Sequence, residues 1–435
     1  MKRSKILSFS IPIVLGIIAI SNSTLFTNKD LVEAKAKTTL NQVITTGQTH
    51  CYDNSGKEIN PQKKDPYYGQ DANYKEGLPF SFTNNNDGTI TDNNTHLMWQ
   101  QLPSDQQFTW QKAKEYAENL TLGGYSDWRL PTVEEAWSIQ DFSEGWPYVN
   151  KNYFKFPKSK GLDGPPTTNA TPLILSKGEP GYDERKEMLP PPPIGNIPDK
   201  KMLGESFKAP KGIDKSMQFW TSNIYKIGLT HGNQPTAFGV NEATGHIKGY
   251  PSKIKRMGKY VRVVRGPKYG VSEFIDNNDG TITDKTSGLM WSKNDSKKAM
   301  TWKEALAYAQ NSKLAGYNDW RLPNVKELQS IVDYSGIYPA INKYYFKLTK
   351  LEENPNYYFW TSTSAYFSKM EPEYSYAWYV AFGYAVSNDG KDIHGAGAVR
   401  FAPKSKDIKL SGMQAMAKGE YNALNSVLLV RNAKN

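Results

Sequence analysis

The chain repeats itself. Phe82–Asp92 (FTNNNDGTITD) returns as Phe274–Asp284 (FIDNNDGTITD), Leu97–Trp99 (LMW) as Leu289–Trp291, and Tyr125–Pro131 (YSDWRLP) as Tyr317–Pro323 (YNDWRLP). The register holds without a gap from Phe82 to Ser143, and about half of the positions are identical between copies. A period this long points to two globular copies in tandem and not to a solenoid. Any function must therefore be one that a duplicated module can serve.

The chain has 435 residues, enough for two or three ordinary cores. Hydrophobic residues make up only 38%, yet aromatics reach 13%, with 27 Tyr and 11 Trp. Rings bury large areas, so this balance predicts aromatic-rich cores in an irregular α+β or β-rich fold and argues against a helical bundle. The net charge of +11 favours an anionic partner, or else reflects lysines spread for solubility.

Lys2, Arg3 and Lys5 precede an apolar stretch from Ile6 to Ile20, interrupted by Pro12. The stretch is short for a membrane span and suits the core of an export signal. Cleavage is expected after the small residues near Ser21 and Ser23 or near Ala34 and Ala36. No second run of spanning length follows, so no transmembrane span is expected after signal removal. The address would be periplasm, cell surface or medium. A single cysteine, Cys51, excludes an internal disulfide.

The expected organisation is a signal and leader over 1–36, a low-regularity segment over 37–80 that packs on the first copy, a first module over 81–266, a linker over 267–272 and a second module over 273–435. A Pro-rich insertion covers 157–213 in the first module, and a Gly-, Lys- and Asp-rich loop covers 383–412 in the second. Asn-Asp-Gly before Thr-Ile-Thr predicts a tight turn and a short strand. Leu97–Trp99 reads as a buried strand. Trp302, Ala305, Tyr308 and Ala309 keep helical spacing behind the capping pattern Thr301–Glu304, as do Trp110, Ala113, Tyr116 and Ala117. The pairs Gly124-Tyr125 and Gly316-Tyr317 are expected to end that helix. A second helix starts after Pro131 and Pro323, with Thr132–Glu135 and Asn324–Glu327 as capping boxes and Val325, Leu328, Ile331 and Val332 as a buried stripe. Strands are expected at Phe219–Ser222, Phe359–Ser362 and Trp378–Phe382, and at the closing runs Tyr260–Arg265 and Ser426–Arg431.

This ordered set of motifs, from Asn-Asp-Gly-Thr-Ile-Thr-Asp through Leu-Met-Trp, Asp-Trp-Arg-Leu-Pro and Phe-Trp-Thr-Ser to a closing Val-Arg strand, resembles the Lcl C-terminal domain family, named after a domain of a bacterial collagen-like adhesin. The resemblance covers both copies. It implies a C-type-lectin-like fold in each: a twisted antiparallel sheet, two helices, long loops, and paired terminal strands. For the founding adhesin it implies binding of sulfated glycosaminoglycans through a basic surface. The segment with Thr46-Gly47-Gln48 and Cys51-Tyr52-Asp53 also resembles the lead-in to such domains. A second cysteine is usual there, but this chain reads Glu58-Ile59-Asn60-Pro61, which leaves Cys51 without that partner.

Asp87 and Asp92, with their copies Asp279 and Asp284, invite a calcium reading, but the EF-hand pattern fails and turn capping needs the same residues. No cofactor is otherwise expected. Asp127, Trp128 and Arg129, with Asp319, Trp320 and Arg321, could stack on a sugar. The stronger reading is a buried ring and an Arg–carboxylate pair pinning the loop before a helix. Lys253, Lys255, Arg256 and Lys259 lie in a basic run from Lys248 to Arg265 and are the candidate ligand-binding cations; Lys404, Lys406 and Lys409 form a weaker counterpart. The five histidines stand at no metal-ligand spacing, and no nucleophile elbow or P-loop is present. The formylglycine-generating oxidases of the lectin-like group depend on cysteines, and neither copy has one. An enzyme is not expected. The reading is an exported binding protein or adhesin for an anionic, sulfated glycan or host matrix polymer, not for nucleic acid. The alternative is a protein-interaction module of an envelope assembly that uses the loops 157–213 and 383–412.

Overall fold

The computed structural model describes residues 42–157, 217–231, 233–366, 373–387, 390–408 and 422–433. The stretch read as an export signal and nearly all of the 157–213 insertion lie outside the described residues. The leading segment forms a small hairpin, β1 (Cys51–Tyr52) with β2 (Glu58–Ile59), and a single helical turn, α1 (Asp71–Tyr74).

The first copy then builds β3 (Phe82–Asn84), β4 (Thr89–Asp92), β5 (Met98–Gln100), α2 (Trp110–Asn119), α3 (Val133–Ser138), β6 (Gln218–Ile224), β7 (Thr236–Asn241), β8 (Ile247–Pro251) and β9 (Val264–Arg265). The second builds β10 (Phe274–Asp276), β11 (Thr281–Asp284), β12 (Leu289–Ser292), α4 (Trp302–Asn311), α5 (Val325–Ser330), β13 (Tyr358–Ala365), β14 (Tyr376–Ala381), β15 (Ala398–Pro403) and β16 (Val430–Asn432). The fold is α+β, with antiparallel sheets and short helices.

Local chemistry accounts for the repeated elements. Asn86 and Gly88 take φ of 60° and 86°, and Asn278 and Gly280 take 59° and 90°. Asn and Gly tolerate this left-handed region, which turns β3 onto β4 and β10 onto β11. Capping boxes open α3, α4 and α5. In α2 the same position holds Lys112, and Thr109 makes no side-chain cap. Both long helices end before the Gly-Tyr pairs, at Asn119 and Asn311. The glycines instead turn the chain back, with Gly123 and Gly124 at φ of 59° and 80°. That return lets the indole N–H of Trp128 donate to the Leu122 carbonyl at 3.2 Å and that of Trp320 to Leu314 at 2.9 Å.

Each copy has one four-stranded sheet, ordered β3-β4-β5-β9 and β10-β11-β12-β16. The closing strand pairs with the third strand of its copy, not with the first, so the expected pairing of terminal strands is replaced by a neighbouring one. The remaining strands form a single six-stranded sheet, β13-β14-β15-β8-β7-β6, to which both copies contribute three strands. The junction is β15 against β8, with Val399 opposite Ile247. β15 lies inside the stretch 383–412 that the sequence reads as a loop: its alternating Ala398–Pro403 run is wholly buried and sits at the centre of the sheet. The two copies thus share one compact unit, Thr38–Asn435. Trp378 of the second copy packs edge-on against Phe142 and Tyr148 of the first, with ring centroids 5.5 and 5.7 Å apart.

The leading segment also departs from expectation. It touches the first copy through Phe142 N–H, which donates to the Thr46 carbonyl at 2.7 Å. Its buried anchors, however, go to the second. Asp71 Oδ2 accepts from the hydroxyls of Thr46 and Thr363, both at 2.7 Å, and Gln48 exchanges two hydrogen bonds with the backbone of Ser364. Polar side chains of this otherwise irregular segment meet buried polar groups of β13, where an unpaired group would be costly.

Candidate functional site

The Asp-Trp-Arg motif is a fastening between three elements. Arg129 forms a bidentate pair with Glu135 at 2.6 and 2.7 Å, and Arg321 with Glu327 at 2.6 Å twice. These glutamates are the third residues of α3 and α5, and each also accepts from the N–H of its own helix cap. One carboxylate thereby closes the helix start and holds the loop before it. Asp127 pairs with Arg265 of β9 at 2.6 Å, and Asp319 with Arg431 of β16 at 2.7 Å. Arg265 stacks 3.8 Å over Tyr125 and holds the Asp127 carboxyl below the usual range. Trp128 and Trp320 are buried. All six motif residues therefore make contacts internal to the fold.

The acidic turns do likewise. Asp87 Oδ1 accepts from the N–H and hydroxyl of Thr89, Asp279 does the same for Thr281, and Asp92 and Asp284 accept from backbone N–H groups two residues on. Among the described residues no group of three His, Cys, Asp or Glu side chains is placed to hold a metal ion. Burial pushes the Cys51 thiol up to about 11, and Ile59 stands opposite it in the hairpin.

The basic run divides. Lys253 and Lys255 are exposed and make no ion pair among the described residues. Arg256 shares the short turn Lys255–Met257, and its side chain lies outside the described set. Lys259 does not join them. Its ammonium donates to the Met257 carbonyl at 2.7 Å and stands 4.2 Å over the Tyr250 ring, and burial lowers its pKa to about 8. Arg262 is buried against Glu242 at 2.8 Å. In the second copy Lys404 is also internal, donating to Ser364 Oγ at 2.8 Å, while Lys406 is exposed and Lys409 lies outside the described residues.

Among the described residues the copies differ in a groove beside their long helices. In the second copy, Tyr67 packs on the cluster of Trp302, Leu306, Ala309, Trp320 and Leu322. Tyr74 hydroxyl meets the Gln310 side chain at 2.5 Å, and Glu76 lies 3.8 Å from Arg321 Nε and accepts from Asn432 at 2.9 Å. The leading segment covers this face. In the first copy the equivalent face, with Trp110, Lys114, Ala117, Trp128, Arg129 and Leu130, lines a groove of about 680 Å³ that is open among the described residues. From outside the repeat, the linker residues Lys268 to Val271 border it, with the Tyr269 ring among them.

A family model described as the Lcl C-terminal domain matches residues 88–187 and 280–401. The chain belongs to this family. No curated protein and no solved structure matches it. Both matched stretches start at the glycine of the Asn-Asp-Gly turn and carry the Asp-Trp-Arg-Leu-Pro fastening, so the Lcl signature falls on residues that build the fold. Sequence reasoning foresaw an Arg–carboxylate pair but not its partners, Glu135 and Glu327, nor the closing-strand arginines, Arg265 and Arg431. It missed the groove. The signal was present in one substitution: the apolar position Leu306 of the second Lcl copy is Lys114 in the first.

Proposed function

We propose that the chain is an exported, non-catalytic binding protein whose two Lcl repeats take C-type-lectin-like folds and whose ligand is an anionic, sulfated glycan. The observation that carries this reading is the pair Lys253 and Lys255, which stand exposed at the end of β8 with no carboxylate to neutralise them among the described residues. Closely spaced cations suit sulfate groups, and two linked repeats suit a polymer that offers many of them. The N-terminal basic and apolar run supports export. Antiparallel sheets with two helices per repeat agree with the lectin-like reading. Lys259 contributes nothing to this pair, because its ammonium faces the Met257 carbonyl and the Tyr250 ring.

The test is heparin chromatography of the intact protein. Wild type should be retained and elute with salt, whereas K253E/K255E should elute at clearly lower salt with unchanged thermal stability. Equal elution of the two proteins, or retention that survives about 1 M salt, where surface charge is screened to a few ångströms, would overturn the assignment. The second reading, a protein-interaction module, is favoured by the open groove of the first repeat.

A further inference from the structure

We infer that the groove of the first repeat is a docking site for a polypeptide segment of a partner protein, one that presents a tyrosine and a carboxylate as residues 67–76 of this chain present theirs to the second repeat. The inference is independent of the glycan reading.

The two grooves are copies of one surface, and among the described residues one of them is filled and the other is open. Trp302 and Leu306 are buried on the face that the leading segment covers, while their counterparts are the half-buried Trp110 and Lys114 at the open groove; Trp128 and Trp320 are buried alike. The arginines differ in the same sense: the side chain of Arg321 is 4% exposed and that of Arg129 is 37% exposed. Arg321 meets a second carboxylate, Glu76, beyond its helix partner. Among the described residues Arg129 meets one carboxylate, that of Glu135, and its further N–H contact reaches only the Leu130 carbonyl at 3.4 Å, so its exposed edge can take another acid. Covalent connection explains the asymmetry. The stretch before the first repeat reaches across to the second repeat's face. The stretch before the second repeat is the linker 267–272, tied to the end of β9 and long enough only to border the groove.

The chemistry of the missing occupant follows from what lines the site. Half-buried Trp110, with the Lys114 ammonium 5.3 Å from its ring centroid, offers an apolar wall for a ring. Arg129, Lys114 and Lys268 place cations where the second repeat has Arg321, Leu306 and the leading segment. Glu118, Glu134 and Glu135 also line the groove, so its formal charge is balanced and selectivity rests on where the cations stand. An aromatic residue beside an acid, carried on a short irregular segment, meets these demands. Such segments bind by side-chain anchors in a preformed groove.

The probe is a synthetic peptide of residues 66–77, titrated into the intact protein by calorimetry, with a photo-reactive phenylalanine analogue at the Tyr74 position for a parallel cross-linking run. Saturable one-to-one binding is expected, with adducts between Trp110 and Leu130. A peptide with Glu76→Lys should bind at least tenfold more weakly, and K114E/K268E protein should lose a similar factor while keeping its melting temperature. K253E/K255E protein should bind the peptide fully, so this test and the heparin test fail separately. Three results would overturn the proposal: no binding up to about 1 mM peptide, a range that would detect even the weakest specific contacts; adducts confined to Trp302–Leu322, meaning that the peptide only displaces the chain's own segment; or a dimer in the absence of peptide that exchanges leading segments between copies.

Discussion

Arg129 and Arg321 occupy the same place in the two repeats and make the same bidentate pair, yet their surroundings differ. Glu135 and Glu327 are both buried, so removing either arginine leaves a carboxylate without its cation. Breaking a buried pair in this way costs about 3–5 kcal/mol. Arg321→Ala should reach that range in urea unfolding, because its guanidinium is enclosed. Arg129→Ala should cost distinctly less, because water reaches its more exposed site and screens the orphaned charge. Equal losses would mean that the two fastenings are energetically alike despite their exposure. At this scale much was legible in the sequence: the repeated Asp-Trp-Arg triplet and the capping glutamates were both visible. Which arginine meets which acid was not, since Glu135 lies six residues beyond Arg129 and Arg265 lies 138 residues beyond Asp127, at the far end of the same copy.

Between elements, the short helices α3 and α5 are joined by one buried amine. Lys326, on α5, donates to the carbonyl of Ser138, the last residue of α3, at 2.8 Å and stands 4.6 Å over the Phe80 ring. Burial lowers its pKa from an ordinary 10.5 to about 7, against the pull of Asp141, Asp92 and Asp71. Between those two values the unfolded chain holds a proton at this amine that the folded chain has released. Stability tied to Lys326 should therefore rise as pH goes from about 7 towards 10.5. K326M should gain most over wild type below pH 7, and its advantage should shrink through this window. Melting temperatures of both proteins from pH 6 to 10 would show it, and a constant difference would refute it. The sequence read Val325, Leu328, Ile331 and Val332 as the buried stripe, and all four are buried. It could not place Lys326 inside, because a lysine between apolar positions reads as a solvent-facing residue until the helix is seen covered on both sides. β15 escaped for a related reason: glycines and charges flank a six-residue strand, and only its partners β14 and β8 reveal that it is central.

For the whole molecule, duplication predicts two independent domains, and the structure joins them. The six-stranded sheet draws three strands from each repeat, Trp378 sits among rings of the other repeat, and Tyr225 hydroxyl donates to Asp392 at 2.8 Å across the same seam. The leading segment, attached to one repeat, is anchored in the other. A shared core of this kind has no surface along which it can be divided without exposing large rings. The intact protein should accordingly unfold in a single cooperative transition by calorimetry. A fragment of residues 42–266 would keep every motif of the first repeat but lose β15, Trp378 and the seat of Asp71. It should show weak near-ultraviolet dichroism and poorly dispersed amide resonances. A sharp transition from that fragment alone would mean that each repeat carries its own sufficient core and that the seam is an accessory contact. Sequence identity between the copies could not reveal the seam, because the pattern that makes a strand also fits an edge, and the residues that turn an edge into a centre lie in the other copy.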